Sequence, residues 1–432
     1  MSFIVHSARL VAPTAGAAAS GGAPTRGASS VVRDESDAWL RVDGGLIAAQ
    51  GTGDTWRAAA QDGDRIVDAA ATAGAGALLT PGLIDIHVHG GGGASYDGVR
   101  ASPHRASYGD ARSGGGGEDE PDAAITHALA THAAHGTTRA VLSLVTAPVA
   151  DLERRVRRIA RLRERHPGIL GSHLEGPFLD HDRRGAHDPS DLRAPNATDL
   201  ERLLAAGEGT VRQVTLAPEH PGAIEAIRRI VAAGAAAAIG HTGADLATAR
   251  AAFDAGATIL THAFNAMPGL HHREPGPVAA AALDERVTLE AIADGVHLDP
   301  DVVRLLFRMA PGRIALITDA MAAAGADDRD GDWVLGSRSV EVRDGTARLQ
   351  GSDTIAGSTL TSDRALRVAI RSGVPVTEAV RALTATPARA VGHPELGTSD
   401  DGGPADLVLW DRDFSVRAVW RAGEPVPRAG AS

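Results

Sequence analysis

From residue 78 onward the chain alternates short β-prone apolar runs with Ala- and Arg-rich stretches of helical period, the pattern of parallel strands joined by crossover helices. Eight such runs end near His87, Ser143, Glu175, Thr215, His241, His262, Ala293 and Asp319, with helical spacing over 151–165 and 300–309 between two pairs of them. They predict an α/β fold closed into a TIM-like (β/α)8 barrel. Catalytic side chains in such barrels project from the carboxyl ends of the strands. The polar residues stand in those places: Leu83-Ile84-Asp85-Ile86 leads to His87, Ala236-Ala237-Ala238-Ile239 to His241, Thr258-Ile259-Leu260 to His262, and Ile314-Ala315-Leu316-Ile317 to Asp319.

Outside the barrel, 3–11, 38–47, 65–68, 406–410 and 416–420 have the pattern of strands, which predicts one small β-sandwich built from both termini. The expected division is a sandwich part at 1–80, the barrel at 81–395, and the rest of the sandwich at 396–432. Segments 14–30 and 98–121 are rich in Gly, Ala, Ser and charge, with too little apolar content to fold alone, and are expected to be mobile insertions. The second follows the first barrel strand, so it is either a lid over the site or a solvated loop.

Composition narrows the chemistry. A chain of 432 residues exceeds what one compact core usually serves, and 43% hydrophobic residues suffice for a large core. With aromatics at only 3%, that core must rest on Ala, Val, Leu and Ile. There is no Cys, so any metal must be held by His, Asp, Glu or water. The first 13 residues lack a basic segment followed by an apolar core, and nothing reaches the roughly 18 apolar residues of a membrane span, so a cytoplasmic location is expected, with no membrane partner. A formal net charge of −11 argues against nucleic-acid partners and requires a local cationic pocket for any anionic substrate.

His87 and His89 are two apart on a strand, so both imidazoles face the same way and can reach one ion. Alone, such a pair is equally a polar strand end. Glu175 ends an apolar strand just before Gly176 and Pro177 break the extended path; a buried Glu needs a partner, either a metal or an Arg such as Arg183 or Arg184. His241 and His262 stand at strand tips, and Asp319 at the last one. Four His, one Glu and one Asp at one barrel end form the constellation that metal-assisted hydrolysis requires. Arg273, after His271 and His272 in a Gly- and Pro-flanked loop, is either a phosphate fork or a solvated side chain.

The runs Pro81-Gly82-Leu83-Ile84-Asp85-Ile86-His87-Val88-His89-Gly90, His173-Leu174-Glu175-Gly176-Pro177-Phe178, Gly240-His241-Thr242, Thr261-His262-Ala263-Phe264-Asn265-Ala266-Met267-Pro268, Ala293-Asp294-Gly295-Val296-His297 and Thr318-Asp319-Ala320-Met321 carry a resemblance. Over about 78–397 the chain resembles the amidohydrolase superfamily and, within it, the N-acetylglucosamine-6-phosphate deacetylases. The tail from Pro404 to Trp410 is similar to that superfamily's return into its β-sandwich.

The resemblance implies that Glu175, His241 and His262 are metal ligands, that Asp319 is the catalytic acid–base, and that His187 polarises the acetamide carbonyl. It implies that Asn265, Ala266, Arg273 and His297 hold the sugar phosphate, with Ala186, Asp294, Gly295, Val296, Ile355, Ala356 and Gly357 lining the pocket. Some relatives lack the His-x-His pair and hold one ion, so its presence here implies a second, bound by His87 and His89 with Asp319 as a further candidate. The cofactor is then one or two divalent ions per subunit, zinc first, with iron, manganese or cobalt suited to the same ligands. A phosphorylated amino sugar is the implied substrate, and a homodimer is implied because the residue matching Arg273 reaches into the neighbour's site. Rival readings are a cyclic amidase or deaminase, and a non-catalytic sugar-phosphate-binding relative. Cyclic amidases of this scaffold use a bridging carbamylated Lys, whereas here Lys is scarce and Glu175 stands at the third strand.

Overall fold

Parallel strands buried on both faces read as continuous apolar runs, and eight of these form the centre of the computed structural model, which describes residues 1–14, 31–98 and 119–427. The insertions expected at 14–30 and 98–121 lie, apart from their edges, outside the described residues. The barrel strands are β1 (Leu83–Val88), β2 (Thr137–Val145), β3 (Ile169–Glu175), β4 (Val211–Leu216), β5 (Ala236–Ile239), β6 (Ile259–Leu260), β7 (Thr288–Ile292) and β8 (Ile314–Ile317). Each pairs in parallel with the next, from β1 round to β8. Closure falls at the carboxyl ends: Asp319 N–H donates to the His87 carbonyl at 2.8 Å, His89 N–H to the Ala320 carbonyl at 2.8 Å, and Thr318 Oγ1 to Asp85 Oδ2 at 2.5 Å.

Helices cover the outside for reasons visible in their sequences. Val149–Arg163 buries Leu152, Val156 and Ile159 at helical spacing and turns Arg154, Arg157 and Arg161 outward. Each of those apolar side chains contributes about 1.5–3 kcal/mol on burial. Pro300–Met309 starts at Pro300, with the Asp299 carboxylate accepting from Asp301 N–H.

Both chain ends meet in one eight-stranded sheet. Phe3–Pro13 pairs antiparallel with Val32–Asp43, and Leu78–Pro81 pairs antiparallel with Leu407–Trp410, which ties the C-terminal strands to the N-terminal ones. The period of two gives that junction two faces. Leu79, Leu407 and Leu409 enter the small domain's own core, whereas Leu78, Val408 and Trp410 pack on the barrel.

Two features depart from the sequence pattern. The single strand expected at 38–47 is a hairpin, because Gly44 and Gly45 take positive φ (58° and 85°) and turn Val32–Asp43 back as Leu46–Thr52. After β8 the chain adds a three-stranded antiparallel sheet, Gly331–Leu335, Arg338–Arg343 and Thr346–Leu349. Its buried face, including Trp333, Leu335 and Val340, packs on Val145 and Met321 above the barrel mouth.

Candidate metal centre and active site

His87, near the end of β1, and His89, one residue beyond it, turn the same way, and their Nε2 atoms lie 3.2 Å apart. Glu175, the last residue of β3, reaches between the other ligands. Its Oε1 is 3.3 Å from His87 Nε2 and 3.2 Å from both His241 Nε2 and His262 Nε2, and its Oε2 is 3.2 Å from His89 Nε2 and 3.4 Å from His187 Nε2. Asp319 Oδ1 completes the ring, 3.2 Å from His89 Nε2 and 3.5 Å from His87 Nε2. Two overlapping ligand sets result, His87–His89–Glu175–Asp319 and Glu175–His241–His262, each with ligand atoms within 4.8 Å of one another and every residue buried. Glu175 belongs to both.

His241, His262 and Asp319 each stand two residues beyond their strand, and each is left-handed, with φ of 48°, 30° and 49°. Such a conformation costs about 1–3 kcal/mol per non-Gly residue and persists only where neighbours over-determine it. They do so here. Asp180 N–H donates to the His241 carbonyl at 3.0 Å, Asn265 N–H to that of His262 at 2.9 Å, and Ser358 N–H to that of Asp319 at 2.7 Å.

The donor set fits a divalent cation. The Arg183 carbonyl can only accept, so His241 Nδ1, 2.9 Å away, carries its proton and leaves the Nε2 lone pair facing inward. His87 Nδ1 likewise donates to Glu290 Oε2 at 3.1 Å. The protein's own charges also call for a cation. Burial opposes charge on His89, yet Asp319 and Glu175 overcome it and push its pKa up to about 9. Burial likewise opposes charge on Glu175 and Asp319, yet His87, His187 and His241 hold Glu175 well below the ordinary range, and His89 and His87 hold Asp319 below it.

This geometry has counterparts among known proteins. The amidohydrolase family profile matches residues 78–426, spanning the barrel and the returning C-terminal strands. The chain belongs to the amidohydrolase family. An N-acetylgalactosamine-6-phosphate deacetylase of Escherichia coli O157:H7 is 38% identical over 80% of this amidohydrolase and 87% of its own length. An N-acetylglucosamine-6-phosphate deacetylase of Bos taurus is 35% identical over 81% and 84%. The solved structure of a mutant N-acetyl-D-glucosamine-6-phosphate deacetylase from Mycobacterium smegmatis, in complex with N-acetyl-D-glucosamine-6-phosphate, superposes with a TM-score of 0.81 at 40% identity, covering 98% of this chain and 99% of that one.

In the amidohydrolase described here, the ligands open into a cavity of about 500 Å³. His187, Ala186, Asn265, Ala266, His297, Ile355 and Gly357 line it with His89, Glu175, His241, His262 and Asp319. His297 Nδ1 pairs with Asp294 Oδ2 at 2.8 Å; burial disfavours its charge, but Asp294 keeps its pKa above the ordinary value. Gly295 and Val296 are exposed beside it, and Ala356 is buried next to the lining residues. Asp294, Gly295, Val296 and Ala356, expected from the sequence to line the cavity, lie outside its lining, and so does Arg273, which is exposed on its loop.

Several contributors were not anticipated from sequence. Thr146 Oγ1 donates to the Glu175 carbonyl at 3.0 Å and lies 2.9 Å from His187 Nδ1. Leu335 brings the small three-stranded sheet into the cavity wall, and Asp353 and Thr354, just past its last strand, join it there. Their signal was present as alternating Trp333/Leu335 and Val340/Val342 between Gly-containing turns. Glu290 lies fully buried on β7, and its signal was one charge within Thr288-Leu289-Glu290-Ala291-Ile292.

Proposed function

We propose that this amidohydrolase deacetylates N-acetylglucosamine 6-phosphate to glucosamine 6-phosphate and acetate, with N-acetylgalactosamine 6-phosphate as the alternative substrate that the Escherichia coli relative's name raises. The observation that carries the reading is a single cavity where Glu175 gathers four His nitrogens within 3.3 Å while Asp319 and His187 face the same space.

A divalent ion bound at this site would supply Lewis acidity, bringing the pKa of water from about 15.7 toward about 7 and polarising the carbonyl. Glu175, His241 and His262 would hold it, and His87 and His89 a second. Zinc is the first choice at both places. Asp319, kept in its base form, accepts the proton of the attacking water and returns it to the departing amine. Thr146 holds His187 Nδ1 through its Oγ1 at 2.9 Å and its N–H at 3.4 Å, which directs Nε2 at the cavity, where a proton on it would donate to the acetamide oxygen. One such donor is worth roughly 3 kcal/mol in the transition state.

His297, with Nδ1 turned to Asp294, offers Nε2 to the sugar phosphate from the chain's own cavity wall, which Asn265 and Ala266 also line. Arg273 stays outside that wall, and the resemblance implies that it reaches the neighbouring subunit's site in a homodimer. The division into 1–80, 81–395 and 396–432 and a cytoplasmic location are part of the same proposal. No helix among the described residues is long and apolar enough to cross a membrane. The chain contains no lysine, so the carbamylated-Lys chemistry of cyclic amidases has no residue to use. A complete ligand set argues against a non-catalytic relative.

Acetate release from both hexosamine 6-phosphates and from N-acetylglucosamine tests the reading. Loss of the phosphate should lower kcat/KM by about 10–100-fold, the worth of one charged hydrogen bond. Arg273→Ala should raise KM for the phosphorylated sugar by a similar factor and leave the unphosphorylated one near its wild-type value. Equal turnover with and without the phosphate, or an equal effect of Arg273→Ala on both sugars, contradicts phosphate recognition.

A further inference from the structure

Beneath the ligand ring lies a carboxylate that the reaction does not use. Glu290 projects from β7 into the barrel interior and is fully buried. Three donors converge on it: Gln213 Nε2–H at 2.8 Å on Oε1, and His87 Nδ1–H at 3.1 Å and His262 N–H at 3.3 Å on Oε2. An acceptor-only group is what three donors require, and Glu is the side chain that supplies it. Among the described residues no Arg joins these contacts, so the buried negative charge faces the His87 ring and the ligands above it. Burying a carboxylate in an otherwise apolar strand is costly unless a specific partner compensates it.

The partner's orientation shows what the charge accomplishes. His87 has Nε2 among the ligands and Nδ1 against Glu290, so the tautomer that satisfies Glu290 is the one that leaves the Nε2 lone pair free to bind an ion. The rest of the His87 ring is boxed in: His173 packs edge-on at 4.6 Å between ring centroids and is itself fixed by Ser143 Oγ at 2.9 Å and Thr215 Oγ1 at 2.8 Å. His89 lacks such an arrangement, because its Nδ1 finds no hydrogen-bond partner among the described residues. The His-x-His pair is therefore unequal, with one imidazole oriented at Nδ1 from below and the other without a partner at that nitrogen among the described residues.

We propose that Glu290 is the positioning residue for His87, fixing its tautomer and ring so that it sets how firmly an ion is held by His87, His89, Glu175 and Asp319. The inference rests on the metal-dependent reading above and says nothing about the sugar. Its second contact, to the His262 backbone, supports the other ligand set through a main-chain group alone, so the effect falls mainly on the His87 set.

The test is metal titration of the chelator-stripped protein, reading stoichiometry and the Kd of each equivalent beside the thermal midpoint. His87→Ala identifies the equivalent that depends on His87. Glu290→Leu should weaken that same equivalent by about 10–100-fold and leave the other within a factor of about 3, the range expected when such a partner of a ligand is removed. Glu290→Gln keeps an acceptor for His87, because Gln213 Oε1 has no partner among the described residues and can turn to meet the new amide. It should recover most of the affinity and keeps the test valid if Glu290→Leu folds poorly. Adding Glu290→Leu to His87→Ala should cost nothing further at that equivalent. Unchanged Kd values in Glu290→Leu, an equal loss of both equivalents with a fallen midpoint, or a wild-type protein with no equivalent sensitive to His87→Ala each overturn the proposal. Failure of the substrate reading would look different: full metal loading with no acetate released from either hexosamine 6-phosphate.

Discussion

His87, on β1, and His89, the residue after it ends, reach the candidate metal centre without positive φ, whereas His241, His262 and Asp319 stand two residues past their strands in left-handed conformations. The first pair uses the alternation of extended backbone, which turns residues two apart to one face, with His89 N–H tied to the Ala320 carbonyl where β1 stops. The second group takes left-handed conformations held by bonds from Asp180, Asn265 and Ser358. Strand-borne ligands are cheap to place but have a fixed spacing. Tip-borne ligands cost conformational strain and can be aimed from three different strands at the carboxylate of Glu175.

The largest test of this contrast removes the group both sides share. Glu175→Gln should abolish bound metal and reduce acetate release to background, whereas His87→Ala should leave the ion at Glu175, His241 and His262 in place. Equal metal loss in both variants, measured by elemental analysis, would erase the distinction between the two sets. Next in size is Asp319→Asn, which keeps a ligand-shaped side chain but removes the base. With metal content retained, kcat should fall by about 10²–10⁴-fold, and a wild-type kcat removes Asp319 from the chemistry.

A smaller effect probes how the tips are held. Thr318→Val deletes the hydroxyl that donates to Asp85 and leaves that buried carboxylate short of a partner. Stability should drop by about 1–3 kcal/mol in denaturant titration, with kcat lowered because Asp319 is the next residue. An unperturbed kcat would show that the β8 tip is rigid without this bond. The smallest expected effect lies far from the mouth. Burial would raise the Asp363 carboxyl, but His135 and Arg367 outweigh it and hold its pKa well below the ordinary range. A depressed pKa stabilises the fold above the unfolded value of about 3.9 and ceases to do so as pH falls through the folded pKa. Asp363→Asn should therefore be less stable than wild type at pH 7, with unchanged kcat, and the gap should close in acid. A constant gap between pH 7 and pH 3 would show that the ion pairs contribute nothing.

The same contrast explains what could be read in the sequence. An apolar run ending in a polar residue marks a barrel strand and its tip together, so β1, β3, β5, β6 and β8 and their polar tips were legible at once. The His-x-His spacing followed from strand periodicity. Glu290 was hidden because a lone acid inside an apolar strand has no spacing partner, and its donors arrive from β1, β4 and the tip of β6. The small sheet after β8 alternates clearly, yet its lower hydrophobicity makes it resemble a βα loop until Trp333 and Leu335 are seen packed against Val145 and Met321. Arg273 could be named from a motif but not located, because a Gly- and Pro-flanked loop has no periodicity to say which way it turns; it is exposed and outside the cavity lining.

The most direct test of the central claim is to strip the protein with a chelator and add back zinc, manganese or cobalt in measured equivalents, following acetate release from N-acetylglucosamine 6-phosphate. The account predicts no release from the stripped protein and recovery that tracks the first one or two equivalents bound. Full activity in protein shown to contain no metal would contradict it.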